Sequence, residues 1–103
     1  MLRKIIGNND RPRISIFRSN KAIYAQIIDD LSGKTLVSIS SNNKIFRNKK
    51  INKKKLSYEV GKYLGNKALV LKIKKLVFDK RKYLYHGRVK SLAEGIRKMG
   101  LDF

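Results

Sequence analysis

Catalysis needs groups that attack, carry a proton or hold a metal, and this sequence is poor in all three. It contains no cysteine and one histidine, His86, so a nucleophile–base pair would have to be built on that single imidazole. No Gly-rich phosphate loop occurs, and no second histidine stands at metal-ligand spacing. The seven carboxylates, Asp10, Asp29, Asp30, Glu59, Asp79, Glu94 and Asp102, are scattered along the chain. A two-metal nuclease centre would need several of them to converge at strand ends. Asp29 and Asp30 are neighbours, and on an extended chain neighbours point to opposite faces and do not easily share an ion. The expectation is therefore no enzyme activity, no metal, no cofactor and no small-molecule substrate. A Mg²⁺-dependent nuclease resting on Asp29 or Asp79 is the catalytic alternative.

Cations dominate instead. Twenty-six Lys and Arg stand against seven acids, giving a formal net charge of +19 and a pI near 10.5. A compact domain with that charge repels itself, and a dense polyanion at its surface relieves the repulsion. Nucleic acid is the partner such a balance indicates. A membrane surface would call for a basic amphipathic helix with Trp, Phe or Leu on its apolar side. This chain has no Trp, its charge runs over the whole length, and no apolar run nears the ~20 residues that span a bilayer. No membrane partner is expected. With no apolar stretch near Met1 long enough for a signal peptide, the chain reads as soluble and intracellular.

Four stretches could meet RNA. Arg11-Pro12-Arg13 sets two guanidinium forks around a rigid proline, and a planar fork can donate two parallel hydrogen bonds to a phosphate; a solvated strand start is the plainer reading. Phe17-Arg18-Ser19-Asn20-Lys21 has the composition of a hairpin tip. Phe17 or Tyr24 there could stack a base, worth ~1–3 kcal/mol, or could simply pack under a loop or across strands. Lys44 to Lys55 holds seven Lys or Arg, Lys49 and Lys50 among them, and no acid. Such a run grips phosphates without reading bases, or is merely solvated. In Tyr83 to Lys90, Gly87 opens a helix whose positive end suits a phosphate, with Lys82, Arg88 and Lys90 around it. His86 is either a cap or an RNA contact.

The elements that must position these groups follow from periodicity. Residues 1–10 read as a short polar arm and 11–103 as one α/β domain. Strands are predicted at Arg13–Arg18, Ala22–Asp29 and Lys34–Ser40, separated by Ser19-Asn20 and Asp30-Leu31-Ser32-Gly33, as in an antiparallel meander. Alternation assigns Ile14, Ile16, Ile23, Ala25, Ile27, Val37 and Ile39 to a core face. It leaves Arg13, Ser15, Phe17, Tyr24, Gln26, Ser38 and Ser40 on an open one. A helix is predicted over roughly Leu56–Lys72, with Gly61 and Gly65 allowing close approach to the sheet. Leu76-Val77-Phe78 follows as a fourth strand, parallel through a right-handed crossover. A last helix runs from His86 or Gly87 to Met99, with Gly100 as its C-terminal cap. Leu101 and Phe103 are expected to fold back onto the core. The fold expected is a small mixed sheet of three antiparallel strands and one parallel strand, with two helices on one face.

Two ends of the chain resemble a known family. Phe78-Asp79-Lys80-Arg81-Lys82-Tyr83-Leu84-Tyr85-His86-Gly87-Arg88-Val89-Lys90-Ser91-Leu92-Ala93, closing with Met99-Gly100-Leu101-Asp102-Phe103, is similar to the C-terminal signature of bacterial-type large-subunit ribosomal protein eighteen. Arg11 to Ser19 and Ile23 to Asp30 resemble its opening strands, and the wording of Tyr24 to Asp30 is similar to the cyanobacterial and plastid branch. The resemblance covers residues 3 to 103. It implies a structural protein that binds 5S ribosomal RNA and helps attach it to 23S ribosomal RNA in the central protuberance, beside ribosomal protein five. It maps RNA contacts onto Arg3, Lys4, Arg11, Arg13, Phe17, Arg18, Ser19, Tyr24, Gln26, Tyr85, His86, Gly87, Arg88 and Lys90. A free-standing RNA chaperone using the same faces is the other binding role. The basic arm is shorter and the Lys44–Lys55 run more basic than the pattern, so grip is expected to shift from arm to loops. Lys, Ile and Asn fill 38 of 103 positions (18, 12 and 8); their A- and T-rich codons suggest an A+T-rich genome, such as that of an organelle or a reduced bacterium.

Overall fold

The computed structural model describes residues 11–46, 51–79 and 87–103. Three strands, β1 (Arg13–Arg18), β2 (Ile23–Asp29) and β3 (Lys34–Ser40), form the predicted meander. A single 3₁₀ turn, Lys44–Phe46, leads to helix α1 (Lys53–Val70), then strand β4 (Val77–Asp79) and helix α2 (Gly87–Lys98). The sheet order is β3-β2-β1-β4, with β4 parallel to β1 as the crossover rule requires. The Val77 N–H donates to the Pro12 carbonyl at 2.9 Å, which starts that pairing one residue past the predicted position. The Leu76 N–H donates instead to the Asp102 carbonyl.

The aliphatic face is the core. Ile14, Ile16, Ile23, Ala25, Ile27 and Ile39 are buried against Val60, Leu64 and Ala68 of α1 and Val89, Leu92 and Ile96 of α2. Val37 is only half-buried. Pairing steps from Ile27↔Val37 to Ile28↔Thr35, so Leu36 is an extra residue and β3 bulges there.

Helix α1 begins three residues earlier than predicted. Asn52 holds extended backbone (φ −70°, ψ 170°) and its Oδ1 accepts the Lys55 N–H at 2.8 Å, an N-cap that overrides three lysines at the positive end of the helix dipole. The helix stops at Val70, and Lys72 (φ 64°) turns the chain so that the Ile73 N–H reaches the Ala68 carbonyl.

Gly61 and Gly65 serve a different contact from the predicted one. A methyl on Gly61 would overlap the Leu92 carbonyl oxygen of α2, and one on Gly95 would overlap the Tyr58 carbonyl oxygen of α1. At Gly65 it would sit 3.0 Å from Met99 Cβ. The glycines let two helix backbones touch each other; none of these contacts is with the sheet. Past α2, Gly100 (φ 97°) takes the cap conformation expected of it. Leu101 is buried and Phe103 stacks on Phe78 with centroids 5.5 Å apart, so the fold-back is as expected.

Candidate nucleic-acid interface

Both helices lie on the aliphatic face, and among the described residues neither of them covers the other side of the sheet. Phe17 and Tyr24 are directly opposed across β1 and β2, with ring centroids 5.9 Å apart at 44°. They are nonetheless 53% and 39% exposed. The rings thus make the cross-strand pair that the plainer reading anticipated and still offer faces for stacking. Ser15 opposes Gln26, and Gln26 and Tyr24 oppose Ser38 and Ser40. A groove of about 260 Å³ runs beside Tyr24 and Gln26, walled by Ser38, Ser40 and Asn43. Amide and hydroxyl groups next to an aromatic platform can hydrogen-bond and stack an unpaired nucleotide.

The hairpin tip is held from below by both helices. Arg88 Nη2 donates to the Ser19 carbonyl at 2.8 Å, and Lys53 Nζ donates to the Asn20 carbonyl at 2.6 Å. Within the tip, the Ser19 N–H donates to the Ala22 carbonyl at 2.8 Å. Ser41, buried, continues the ladder beyond β3: its N–H donates to the Ile23 carbonyl and its Oγ accepts the Ile23 N–H at 3.0 Å. Lys21, Lys53 and Arg88 therefore border one narrow cleft at the helix N-termini, with Arg18 at the adjoining end of β1. The sequence reading placed Arg18, Ser19 and Arg88 in the site and Lys21 and Lys53 in two separate candidate stretches, and missed that these two lysines meet Arg88 at one cleft. The signal for Lys53 was Asn52, which marks the helix start that brings it there. Gly87 opens α2 with φ 59°, and Lys90 lies in the next turn, exposed, its ammonium 3.9 Å from Glu94.

Arg13 stands apart from this group. Its Nε and Nη2 donate to the two carboxylate oxygens of Asp30 at 2.9 and 3.0 Å, and Nη1 reaches Asp79 Oδ2 at 3.4 Å. The Asp30 hydrogen bonds, partly opposed by burial, raise the guanidinium pKa above its ordinary value. A raised pKa means the stabilisation is complete below the ordinary arginine pKa and lost only above the raised one, so Arg13 stays charged wherever the protein is handled. The carboxylates that could have met at a metal meet this fork: Asp30 and Asp79 clamp Arg13, while Asp29 Oδ1 accepts the Leu31 N–H in its own turn. Arg13→Leu should cost about 2 kcal/mol, between the values for exposed and buried pairs, and drop the melting temperature by roughly 8–16 °C. Asp79→Asn should cost less than Asp30→Asn, which loses the two-point bond; thermal melts of the three variants check the order.

Arg11 is exposed just before β1. Arg3, Lys4, Lys49, Lys50, Tyr85 and His86, and the arm over 1–10, lie outside the described residues. Of the Lys44–Lys55 run, Lys44 sits in the 3₁₀ turn and Lys53, Lys54 and Lys55 form the first turn of α1, where a loop was expected.

The family model for ribosomal L18 of archaea, bacteria, mitochondria and chloroplast matches residues 1–103. The large ribosomal subunit protein uL18 of Aster yellows phytoplasma is 53% identical over 106 residues, covering 98% of this chain and 93% of the relative. Its counterpart in Clostridium botulinum strain Langeland is 52% identical over 98% of this chain and 84% of the relative. That of Staphylococcus haemolyticus is 50% identical over 97% and 83%.

Proposed function

The chain belongs to the ribosomal L18 family, structural and non-catalytic constituents of the large ribosomal subunit, and on that premise we propose that it binds 5S ribosomal RNA and helps fasten it to 23S ribosomal RNA in the central protuberance. Ribosomal protein five is its neighbour there. The observation that carries the RNA contact is the sheet face left open beside Phe17 and Tyr24, adjoining the Arg18–Lys21 tip that Arg88 and Lys53 hold in place. The rings and Gln26 meet unpaired bases, and Arg18, Lys21 and the α2 N-terminus with Gly87, Arg88 and Lys90 meet phosphates. Arg11, Arg3, Lys4, Lys49, Lys50, Tyr85 and His86 complete the proposed contact set. Arg13 serves it by joining β1 to the β2–β3 turn and to β4, which keeps the open face in register.

The bacterial source of all three relatives supports a ribosome in bacterial cytoplasm. For plastid stroma, the other setting expected, the wording of Tyr24 to Asp30 speaks, while the A+T-rich composition fits an organelle and a reduced bacterium alike.

Footprinting on cognate 5S RNA at two salt concentrations tests the reading. Protection should be confined to one region of that RNA, with affinity falling steeply as salt rises. Equal affinity for unrelated RNAs would defeat it. Arg18→Ala and Arg88→Ala should each weaken 5S binding by ~1–3 kcal/mol, the range for a lost charge-assisted bond, with circular dichroism unchanged. Wild-type affinity in folded Arg88→Ala would remove that residue from the interface. In that case its bond to the Ser19 carbonyl is its whole role.

A further inference from the structure

The helix layer repeats, on the opposite side of the molecule, the pairing of cations with aromatic rings. Helix α1 carries Lys53, Lys54, Lys55, Lys62 and Lys67 against one acid, Glu59. That acid is mostly covered and lies 3.9 Å from the Lys55 ammonium. Lys55 and Lys62 both place their ammonium groups by the Tyr58 ring, at 4.9 and 5.8 Å from its centroid, and Lys67 lies 5.4 Å from that of Tyr63. The opposite side of the helix, Val60, Leu64 and Ala68, is buried in the core. Lys55 and Lys62, two turns apart, therefore lie on the side of α1 turned away from that core and from the Phe17–Tyr24 platform, while Lys67, about 140° round from Lys62, lies on its flank.

Two ammonium groups drawn to one ring repel each other and give up side-chain freedom, a poor exchange for an isolated exposed helix. The arrangement gains its purpose from an anion that touches both. An ammonium resting on a ring keeps its outward donors, and lysines along a helix row suit a phosphate chain, which asks for charge and no base-specific geometry. An acidic protein segment would also supply charge, but the RNA-rich surroundings proposed above make phosphate the anion at hand.

We propose that the outward side of α1, with Lys55 and Lys62 beside Tyr58 and Lys67 beside Tyr63 on its flank, is a second RNA-binding face that grips the phosphate backbone of a segment distinct from the one on the sheet. This deepens the RNA-binding reading and rests on it. The second segment can be another arm of the same RNA or a different RNA of the subunit.

The sequence has no cysteine, so one introduced cysteine carries a tethered Fe(II)–EDTA probe at a single place. Asn66→Cys lies exposed on α1 between Lys62 and Lys67, and Ser38→Cys lies exposed on the open sheet face. In reconstituted large subunits, the Asn66→Cys probe should cut RNA at nucleotides separate from those cut from Ser38→Cys. Adding K55Q, K62Q and K67Q should reduce the Asn66→Cys cuts at least about five-fold and leave the Ser38→Cys pattern alone. Repeating both with isolated 5S RNA decides which RNA supplies the second segment: cuts that persist place it in 5S, and cuts that vanish place it elsewhere. Cuts from Asn66→Cys at the same nucleotides as from Ser38→Cys, cuts unaffected by the lysine changes, or no RNA cleavage from Asn66→Cys while Ser38→Cys cleaves, would each overturn the second face. Loss of the Ser38→Cys cuts alone would instead remove the sheet-face reading.

Discussion

Val89→Asp is expected to abolish the folded state of the free chain, with far-UV circular dichroism near that of an unfolded polypeptide and no cooperative melt. Val89 is 1% exposed and lies in the cluster with Leu92 and Ile96 that seals α2 onto the sheet and α1. A carboxylate there either stays ionised without a partner or takes up a proton and remains an unsatisfied polar group. Either way the isopropyl contacts are lost as well, and a penalty above about 4 kcal/mol is reasonable for such a site. A domain of this length has roughly 5–15 kcal/mol in total, and the self-repulsion of so basic a chain puts it toward the lower end. Lys90→Asp, on the next and exposed position, is the control. It should melt within a few degrees of the parent, and a cooperative, parent-like melt for Val89→Asp would mean that α2 does not pack as described.

Gly61→Ala should lower the melting temperature by roughly 12–24 °C, from a loss of about 3 kcal/mol, at the upper end of overpacking costs. The sign is what makes the experiment decisive. In an unconstrained helix this replacement stabilises by about 1 kcal/mol. Here the new methyl meets the Leu92 carbonyl of α2, which is backbone and cannot turn aside as a side chain could. Gly95→Ala should behave alike because it meets the Tyr58 carbonyl from the opposite direction. If the two changes are combined, the losses should not add, since the helices need to separate only once. A stabilised Gly61→Ala protein would show that the crossing is looser than its geometry indicates.

What the sequence disclosed and what it hid divide along distance in the chain. Strand positions and faces were legible because alternation is local, and Ile14, Ile16, Ile23, Ala25 and Ile27 could hardly be arranged otherwise. The parallel placement of residues 77–79 followed from the helix that crosses over between β3 and β4. The start of α1 was masked by Lys53, Lys54 and Lys55, which read as loop by charge, while the cap at Asn52 depends on one side-chain bond. The purpose of Gly61 was misjudged because a glycine announces a close neighbour without saying which. Arg13 was read chiefly as a phosphate ligand because its carboxylate partners stand 17 and 66 positions away. The resemblance was clear on residues 11–19 and 78–93. The Lys55–Tyr58–Lys62 row was invisible as a surface until the buried side of α1 was known.

The order of strands has a consequence for how the protein comes off its own assembly line. β1 lies inside the sheet, yet the partner on its second edge, β4, is made only after all of α1. A nascent chain that has emerged as far as Ser40 can close its meander but has nothing to cover Ile14, Ile16 and Ile27. It waits roughly 3–12 s, at about 5–20 residues per second, for synthesis to reach Lys98. During that interval an apolar sheet with both borders, β1 and β3, unpaired is open to a cell full of RNA and other newborn chains. The cations of this half, Arg11, Arg18, Lys21 and Lys34 among them, keep such intermediates apart by mutual repulsion, so the charge that suits the finished protein to its polyanion also shelters it while half-built.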